Sequence, residues 1–142
     1  MIKPEDLRIG DLVMISHGCM FPNGTMCAVT EIRPDKELGY KKGAVSLSAI
    51  NDNDGRSWGT WCCNIEGIPI TQEILEKNGF MNDDTVVYAK SQVGLKPLKD
   101  NKGYQAGIGN RLFYVTIGDI QYVHELQHIL WVSGLDAELK II

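Results

Sequence analysis

Pro69-Ile70-Thr71-Gln72-Glu73-Ile74-Leu75-Glu76-Lys77-Asn78-Gly79-Phe80 is the stretch where the hydrophobic period changes from that of a strand to that of a helix. Thr71 is placed to accept a hydrogen bond from an orphan amide of the first turn, and Glu73 lies at the positive end of the helix dipole. Gly79 supplies a left-handed residue to end the helix, with Phe80 placed to fold back onto Ile74 or Leu75. The punctuation predicts a helix over about 71–78. Because strand-like segments flank it on both sides, it sets the class as α+β.

On the N-terminal side, Leu7 to Ser16 combines a turn at Gly10-Asp11 with an aliphatic run suited to a strand. Met26 to Ile32 reads as a second strand, broken by Arg33-Pro34-Asp35. Ala44 to Ile50 reads as a third. Asn51-Asp52-Asn53-Asp54-Gly55 then forms a tight connection to a returning partner, Trp58 to Ile65. On the C-terminal side, Thr85 to Lys90, Leu95 to Leu98, Tyr104 to Ile108 and Leu112 to Ile117 read as further strands, the last two joined through Gly109-Asn110. Asp119 is placed to cap a final helix from Ile120 to about Ser133, ended by Gly134. The expected fold is a bent, mostly antiparallel β-sheet or small barrel with two helices, about 71–78 and 120–133, in a single domain spanning 1–142.

The chain has 142 residues, 44% of them hydrophobic, and 14 basic against 18 acidic side chains. At this length and composition a packed core forms, which excludes disordered, fibrous and disulfide-scaffold classes. Charge is evenly spread, with no basic arm and nothing denser than Lys41-Lys42 to replace counterions on phosphates. Nucleic acid is not the expected partner. The opening residues, with Lys3, Glu5 and Asp6, do not read as a signal peptide, and no apolar run of about 18 residues is present. A cytoplasmic protein without membrane contact is expected, and Cys19, Cys27, Cys62 and Cys63 are then free thiols.

His124-Glu125-Leu126-Gln127-His128 reads H-E-x-x-H. On a helix the two His lie one turn apart, so both imidazoles reach one Zn²⁺, and the Glu is placed to take a proton from metal-bound water. A catalytic zinc needs a third ligand. The short zincin continuation would put Gly at 131 and a ligand at 134, where this chain has Trp131 and Gly134. Downstream, Asp136 and Glu138 are the only carboxylates, and His17 is the only other His. At 100° per residue, Val123, Leu126 and Leu130 form one stripe flanked by Ile120, Ile129 and Trp131. Gln121, Glu125 and His128 fall on the opposite side, with His124 at the boundary. The wheel therefore predicts imidazoles turned outward, with no cage for an ion.

Smaller signals have ordinary readings. Ser16-His17-Gly18-Cys19 with Cys27 lacks a C-x-x-C pair, and adjacent Cys62 and Cys63 on a strand would point to opposite faces. No local arrangement supports a nucleophilic cysteine paired with His17 or His124. Asp52-Asn53-Asp54-Gly55 fails as a calcium loop, because Ile50 and Trp61 would occupy its first and last ligand positions. Gly107-Ile108-Gly109-Asn110-Arg111 begins like a phosphate-binding glycine pattern but has Leu112 at the third glycine position. Trp58 and Trp61, with Tyr104, Tyr40 and Tyr114, are candidates to line a pocket for a flat, nucleotide-like ligand.

Residues 67–80, Gly-Ile-Pro-Ile-Thr-Gln-Glu-Ile-Leu-Glu-Lys-Asn-Gly-Phe, and 120–130, Ile-Gln-Tyr-Val-His-Glu-Leu-Gln-His-Ile-Leu, resemble two blocks of short uncharacterised proteins encoded by Bacteroidetes bacteria and their bacteriophages. Leu7-Arg8-Ile9-Gly10 is similar to that family's opening phrase. Its second block commonly has Gln and Asn at the positions of Glu125 and His128, which would make the zinc motif of this chain accidental. The resemblance covers about a third of the chain, leaves residues 17–66 unmatched and implies no activity. It implies a bacterial or phage protein of the host cytoplasm or the virion.

Together these readings lead to a non-enzymatic binding or assembly protein of phage or mobile-element origin, needing no cofactor. It would act through a protein partner or self-association as a virion accessory or a host-interaction, anti-defence protein. A variant sequesters a nucleotide-like ligand through Trp58, Trp61 and Tyr104. The alternative is a zinc-dependent hydrolase with His124 and His128 as ligands and Glu125 as catalytic base.

Overall fold

A computed structural model describes residues 2–52, 54–82, 87–109 and 114–142. The chain divides into two compact units, 1–68 and 69–142. Each holds its own five-stranded antiparallel sheet, and the second also carries both helices. The architecture is α+β, with two open sheets in place of a single bent one.

In the first unit, a 3-10 turn at Pro4–Asp6 leads into β1 (Leu12–Ile15), followed by β2 (Met26–Leu38), β3 (Lys41–Ala49), β4 (Ser57–Trp61) and β5 (Ile65–Gly67). The order across the sheet is β4-β3-β2-β1-β5, so the chain returns to pair β5 with β1. The inward residues Val13, Ile15, Val29, Val45, Leu47 and Ile65 pack into one core with Ile2, Leu7, Cys27 and Cys62.

Two strand boundaries differ from those expected. Pro34 does not end β2, which continues to Leu38. The register shifts between Arg33 and Glu37, and Pro34 sits in that irregularity, where no ladder N–H is required of it. The returning strand does not reach Ile65, because Cys62–Asn64 form a 3-10 turn between β4 and β5. Cys62 and Cys63 therefore do not alternate across a strand. Cys62 is buried in the core and Cys63 is half-buried.

The hairpin between β3 and β4 is held by Asp52, whose carboxylate accepts the Asp54 N–H at 3.0 Å and the Arg56 Nε–H at 3.1 Å. These two donors, the Asp54 amide foremost, hold its carboxyl below the usual carboxylate range. Asn53 lies outside the described residues.

The second unit runs α1 (Gln72–Lys77), β6 (Met81–Asn82), β7 (Tyr88–Lys90), β8 (Val93–Pro97), β9 (Tyr104–Gly109), β10 (Tyr114–Ile120) and α2 (Val123–Val132). Its sheet is a meander in the order β10-β9-β8-β7-β6. The start of the strand expected from Thr85, and the Gly109-Asn110 link with Leu112, lie at or in segments 83–86 and 110–113, outside the described residues.

Helix α1 has the expected ends. The Thr71 hydroxyl accepts the Ile74 N–H at 3.2 Å, Gly79 takes φ +83°, and the Phe80 N–H reaches the Leu75 carbonyl at 3.0 Å. Helix α2 begins later than the expected 120. Asp119 and Ile120 belong to β10, paired with Gln105 and Tyr104, so Asp119 caps nothing. The cap comes from inside the helix: Glu125 Oε1 reaches back to accept the Tyr122 N–H at 3.1 Å.

Segment 135–142 runs back along α2. The Leu135 N–H bonds the Leu130 carbonyl, Gln127 Nε2 donates to the Ala137 carbonyl at 3.1 Å, and Leu139 is buried. Asn78, just past α1, clasps this segment by two bonds. Its Nδ2 donates to the Lys140 carbonyl at 2.6 Å, and its Oδ1 accepts the Lys140 N–H at 2.7 Å. The side-chain amide thus satisfies both main-chain groups of Lys140, as a neighbouring strand would. Asn78→Ala should lower stability by about 1–2 kcal/mol. Thermal unfolding with hydrogen exchange checks this, the amide of Lys140 losing protection before the rest of the unit.

Candidate functional site

The H-E-x-x-H segment lies on α2, but its side chains are not disposed as the wheel predicts. His124 is buried, only 5% exposed, with its ring stacked on Tyr122 at 5.9 Å between centroids and 9° between planes. His128 is half-buried and meets His124 edge to face at 6.0 Å. Trp131, expected to flank the apolar stripe, is 62% exposed, whereas Gln127 is buried under segment 135–142. The wheel assumes one packed face, but α2 is packed on two, because the chain that follows it covers a second.

Val123, Leu126 and Leu130 are fully buried, as the apolar stripe requires. Glu125, the candidate base, has Oε1 directed at the helix start, where it accepts the Tyr122 N–H and, at 3.4 Å, the Gln121 N–H. A carboxylate used as a cap is aimed away from the space a metal-bound water would occupy. Among the described residues no group of three or more His, Cys, Asp and Glu is disposed to hold a metal ion. Asp136 Oδ1 instead accepts the Glu138 N–H at 2.9 Å. The two imidazoles are thus brought together, with no third ligand completing a site among the described residues.

The aromatic candidates occupy three separate environments. Trp58 lies opposite Leu47 on the core side of β4, with Phe21 against it edge-on at 6.3 Å. Trp61, three residues on, lies on the other face opposite Ala44, with the Lys41 ammonium 6.0 Å from its ring. Tyr104 belongs to the second unit, where it packs edge-on against Tyr88 at 6.2 Å, and burial pushes its phenol above the usual range. A cleft of about 540 Å³ in that unit is lined by Lys96, Leu98, Lys99, Asp100, Gln105 and Asp119, together with Pro97, and by no aromatic ring among the described residues.

The loop carrying His17 and Cys19 is tied to the 3-10 turn after β4. The amides of Ser16 and His17 both bond the Asn64 carbonyl. The Gly18 carbonyl accepts from Thr60 Oγ1 at 3.0 Å, and Asn64 Nδ2 donates to the same hydroxyl at 3.1 Å. Ser16 Oγ lies 2.9 Å from His17 Nδ1. Burial, with Cys19 nearby, pushes the Cys27 thiol up to about 11, and burial with Cys63 nearby does the same for Cys62. These two are inert core thiols at neutral pH.

One surface was singled out by its sequence only at Tyr114, as a candidate pocket aromatic. Tyr114, Val115 and Ile117 of β10 are exposed, Val115 by 68%. β10 is an edge of its sheet, and segment 114–118, Tyr-Val-Thr-Ile-Gly, carries no charge. The Tyr114 ring lies across Gly94 and Gly107 of the two neighbouring strands, with its hydroxyl donating to the Gly94 carbonyl at 3.1 Å. The glycine pattern at 107–109 therefore serves a ring, not a phosphate. A Cβ at Gly107 would overlap that ring.

No family model, no curated protein and no solved structure matches this chain. No helix among the described residues is long and apolar enough to cross a membrane.

Glu125→Gln should keep the cap and fold within about 0.5 kcal/mol of the parent, while Glu125→Ala should lose about 1 kcal/mol. Urea unfolding of the pair measures this. Alkylation at neutral pH should modify Cys19 and Cys63 well before Cys27 and Cys62, read by peptide mass mapping. Since the folded state holds the Cys27 and Cys62 protons to about pH 11 against 9.0 ordinarily, their contribution to stability is complete below pH 9 and falls as pH rises through that interval.

Proposed function

We propose that this is a non-enzymatic binding or assembly protein that acts through the open edge of β10. The observation that carries this reading is the exposed, uncharged strand Tyr114–Gly118 at the margin of a five-stranded sheet. Edge strands present unpaired N–H and C=O groups, and proteins that do not use an edge blunt it with charge, proline or a covering segment. Neither charge nor proline lies within 114–118, and the register shift between Thr116 and Gly118 leaves Tyr114–Thr116 as the regular stretch of the edge. The surface is chemically matched to an extended main chain, the recognition mode in which a partner adds a strand to the sheet.

The resemblance of residues 67–80 and 120–130 to Bacteroidetes and phage proteins supports a phage or mobile-element setting, either in the virion or against a host protein. Both blocks fall on structural elements, the first on α1 with its caps and the second on the start of α2. The nucleotide-ligand variant has less support, since Trp58, Trp61 and Tyr104 each meet a different neighbour.

Thr116→Pro tests the reading. Its N–H faces away from β9, so proline removes an edge donor without breaking the sheet's own ladder. Native mass spectrometry of the parent should show a non-covalent association, with its own copy or with a second protein, that Thr116→Pro loses while its circular dichroism and melting temperature hold. Parent and variant that are both lone monomers at every concentration would refute it.

A further inference from the structure

We infer that the occupant of the β10 edge is the same strand of a second copy of this chain, paired antiparallel about a two-fold axis at Val115. The inference rests on the strand-addition reading above and names its partner. It follows from which main-chain groups face outward.

The Gly109 N–H bonds the Gln92 carbonyl at 2.8 Å and the Leu98 N–H bonds the Gly103 carbonyl at 3.0 Å. In the register Val93↔Ile108 to Pro97↔Tyr104, these bonds direct the main-chain groups of Gln105, Gly107 and Gly109 toward β8. Those of Tyr104, Ala106 and Ile108 therefore face β10. Their partners there are Ile120, Gly118 and Val115. What remains for the outer edge before the register shift is the N–H and C=O of Tyr114 and of Thr116, and past the shift the groups of the charged Asp119, between Gly118 and Ile120, point outward too. Beyond Thr116 the register shifts, and further on the edge is already occupied, because the Ile70 N–H bonds the Gln121 carbonyl at 3.0 Å.

With two outward residues flanking Val115, the registers for a second copy are not equivalent. A two-fold axis at Val115 sets Tyr114 opposite Thr116 of the other copy, twice, and forms four N–H···O bonds from every open group of both residues. An axis at Thr116 would pair Tyr114 with Gly118, whose groups already face β9, leaving two bonds. The Val115 axis also puts the two Val115 side chains, 68% exposed in the single chain, into a non-hydrogen-bonded pair with Cα atoms about 4.5 Å apart. Charge favours this meeting point. Each copy carries a net −4, and segment 114–118 is an uncharged strip across which no like charges face one another. The arrangement is isologous and consumes the edge, so it stops at a dimer and does not grow into a filament.

Disulfide trapping tests the register. Two Val115→Cys chains would place sulfurs within bonding reach, whereas Ser57→Cys, on the exposed start of the β4 edge, reports random collision. Val115→Cys should cross-link under mild oxidation at least about tenfold faster than Ser57→Cys, with a 115–115 linkage in the peptide map, and Thr116→Pro added to it should abolish the excess. Sedimentation of the parent should show a concentration-dependent shift from 15.8 kDa toward twice that mass. Equal cross-linking rates, or a linkage at another pair of positions, would overturn the inference. If the parent then still forms a Thr116→Pro-sensitive complex with a different protein, strand addition at β10 stands and only its partner is reassigned.

Discussion

A β-sheet that does not close on itself must end, and each end leaves a row of main-chain donors and acceptors without a strand to receive them. Both units of this protein are open five-stranded sheets, so the chain carries four such margins. Three are short among the described residues. β5 has three residues, β6 has two, and β4 has five before the 3-10 turn at Cys62 ends it. β10 has seven and projects its first four into solvent. Among the described residues β10 is the longest of the four margins and carries an uncharged stretch at 114–118, which is the contrast behind the proposal.

The constraint on unpaired backbone explains much else in the second unit. α1 ends in a carbonyl cluster satisfied by Gly79, Phe80 and the Asn78 amide, whose Nδ2 also donates to the Ile74 carbonyl at 2.8 Å. Asn78 then extends the same service to Lys140. α2 opens without a Ser, Thr, Asp or Asn at its N-cap, and Glu125 from within the first turn accepts the main-chain N–H groups of the N-cap Tyr122 and of Gln121 instead. Gln127 does the equivalent for the Ala137 carbonyl. Side chains that look functional on a helical wheel are here occupied with main-chain bookkeeping, which is why a motif shaped like a zinc site folds into a cap and a stacked pair of rings.

How much of this could be read in advance depends on how local the cause is. The ends of α1 were legible because Thr71, Gly79 and Phe80 each act on residues within five positions. The apolar stripe Val123, Leu126, Leu130 was legible for the same reason. Gln127 was not, since it bonds the chain beyond Gly134 as that chain turns back, and His124, placed by the wheel only at the boundary, is buried against Tyr122 and His128. Pro34 was misleading because the rule that proline ends a strand assumes regular pairing, and β3 accommodates it through a register shift. Asp119 was misleading because a carboxylate before an apolar run suits a helix cap and a strand equally. Only its pairing with Gln105 decides between them. The proposed binding surface gave no motif. Tyr-Val-Thr-Ile-Gly is an ordinary strand sequence, and its significance comes from where the sheet stops.

Tyr114 shows how the edge is prepared. Its ring covers Gly94 and Gly107, which lie side by side on β8 and β9, and fills the space that two missing side chains leave on that face. A ring laid across two strands and bonded through its hydroxyl to the Gly94 carbonyl ties Tyr114 to β8 as well as to β9. Pre-ordering of this kind lowers the entropy lost when another strand docks. Had the two glycines carried side chains, the ring would be displaced toward solvent and the hairpin would lose its inner support. The glycine pattern and the exposed strand are therefore parts of one packing arrangement, in which small residues on the interior strands leave room for the ring of an edge residue.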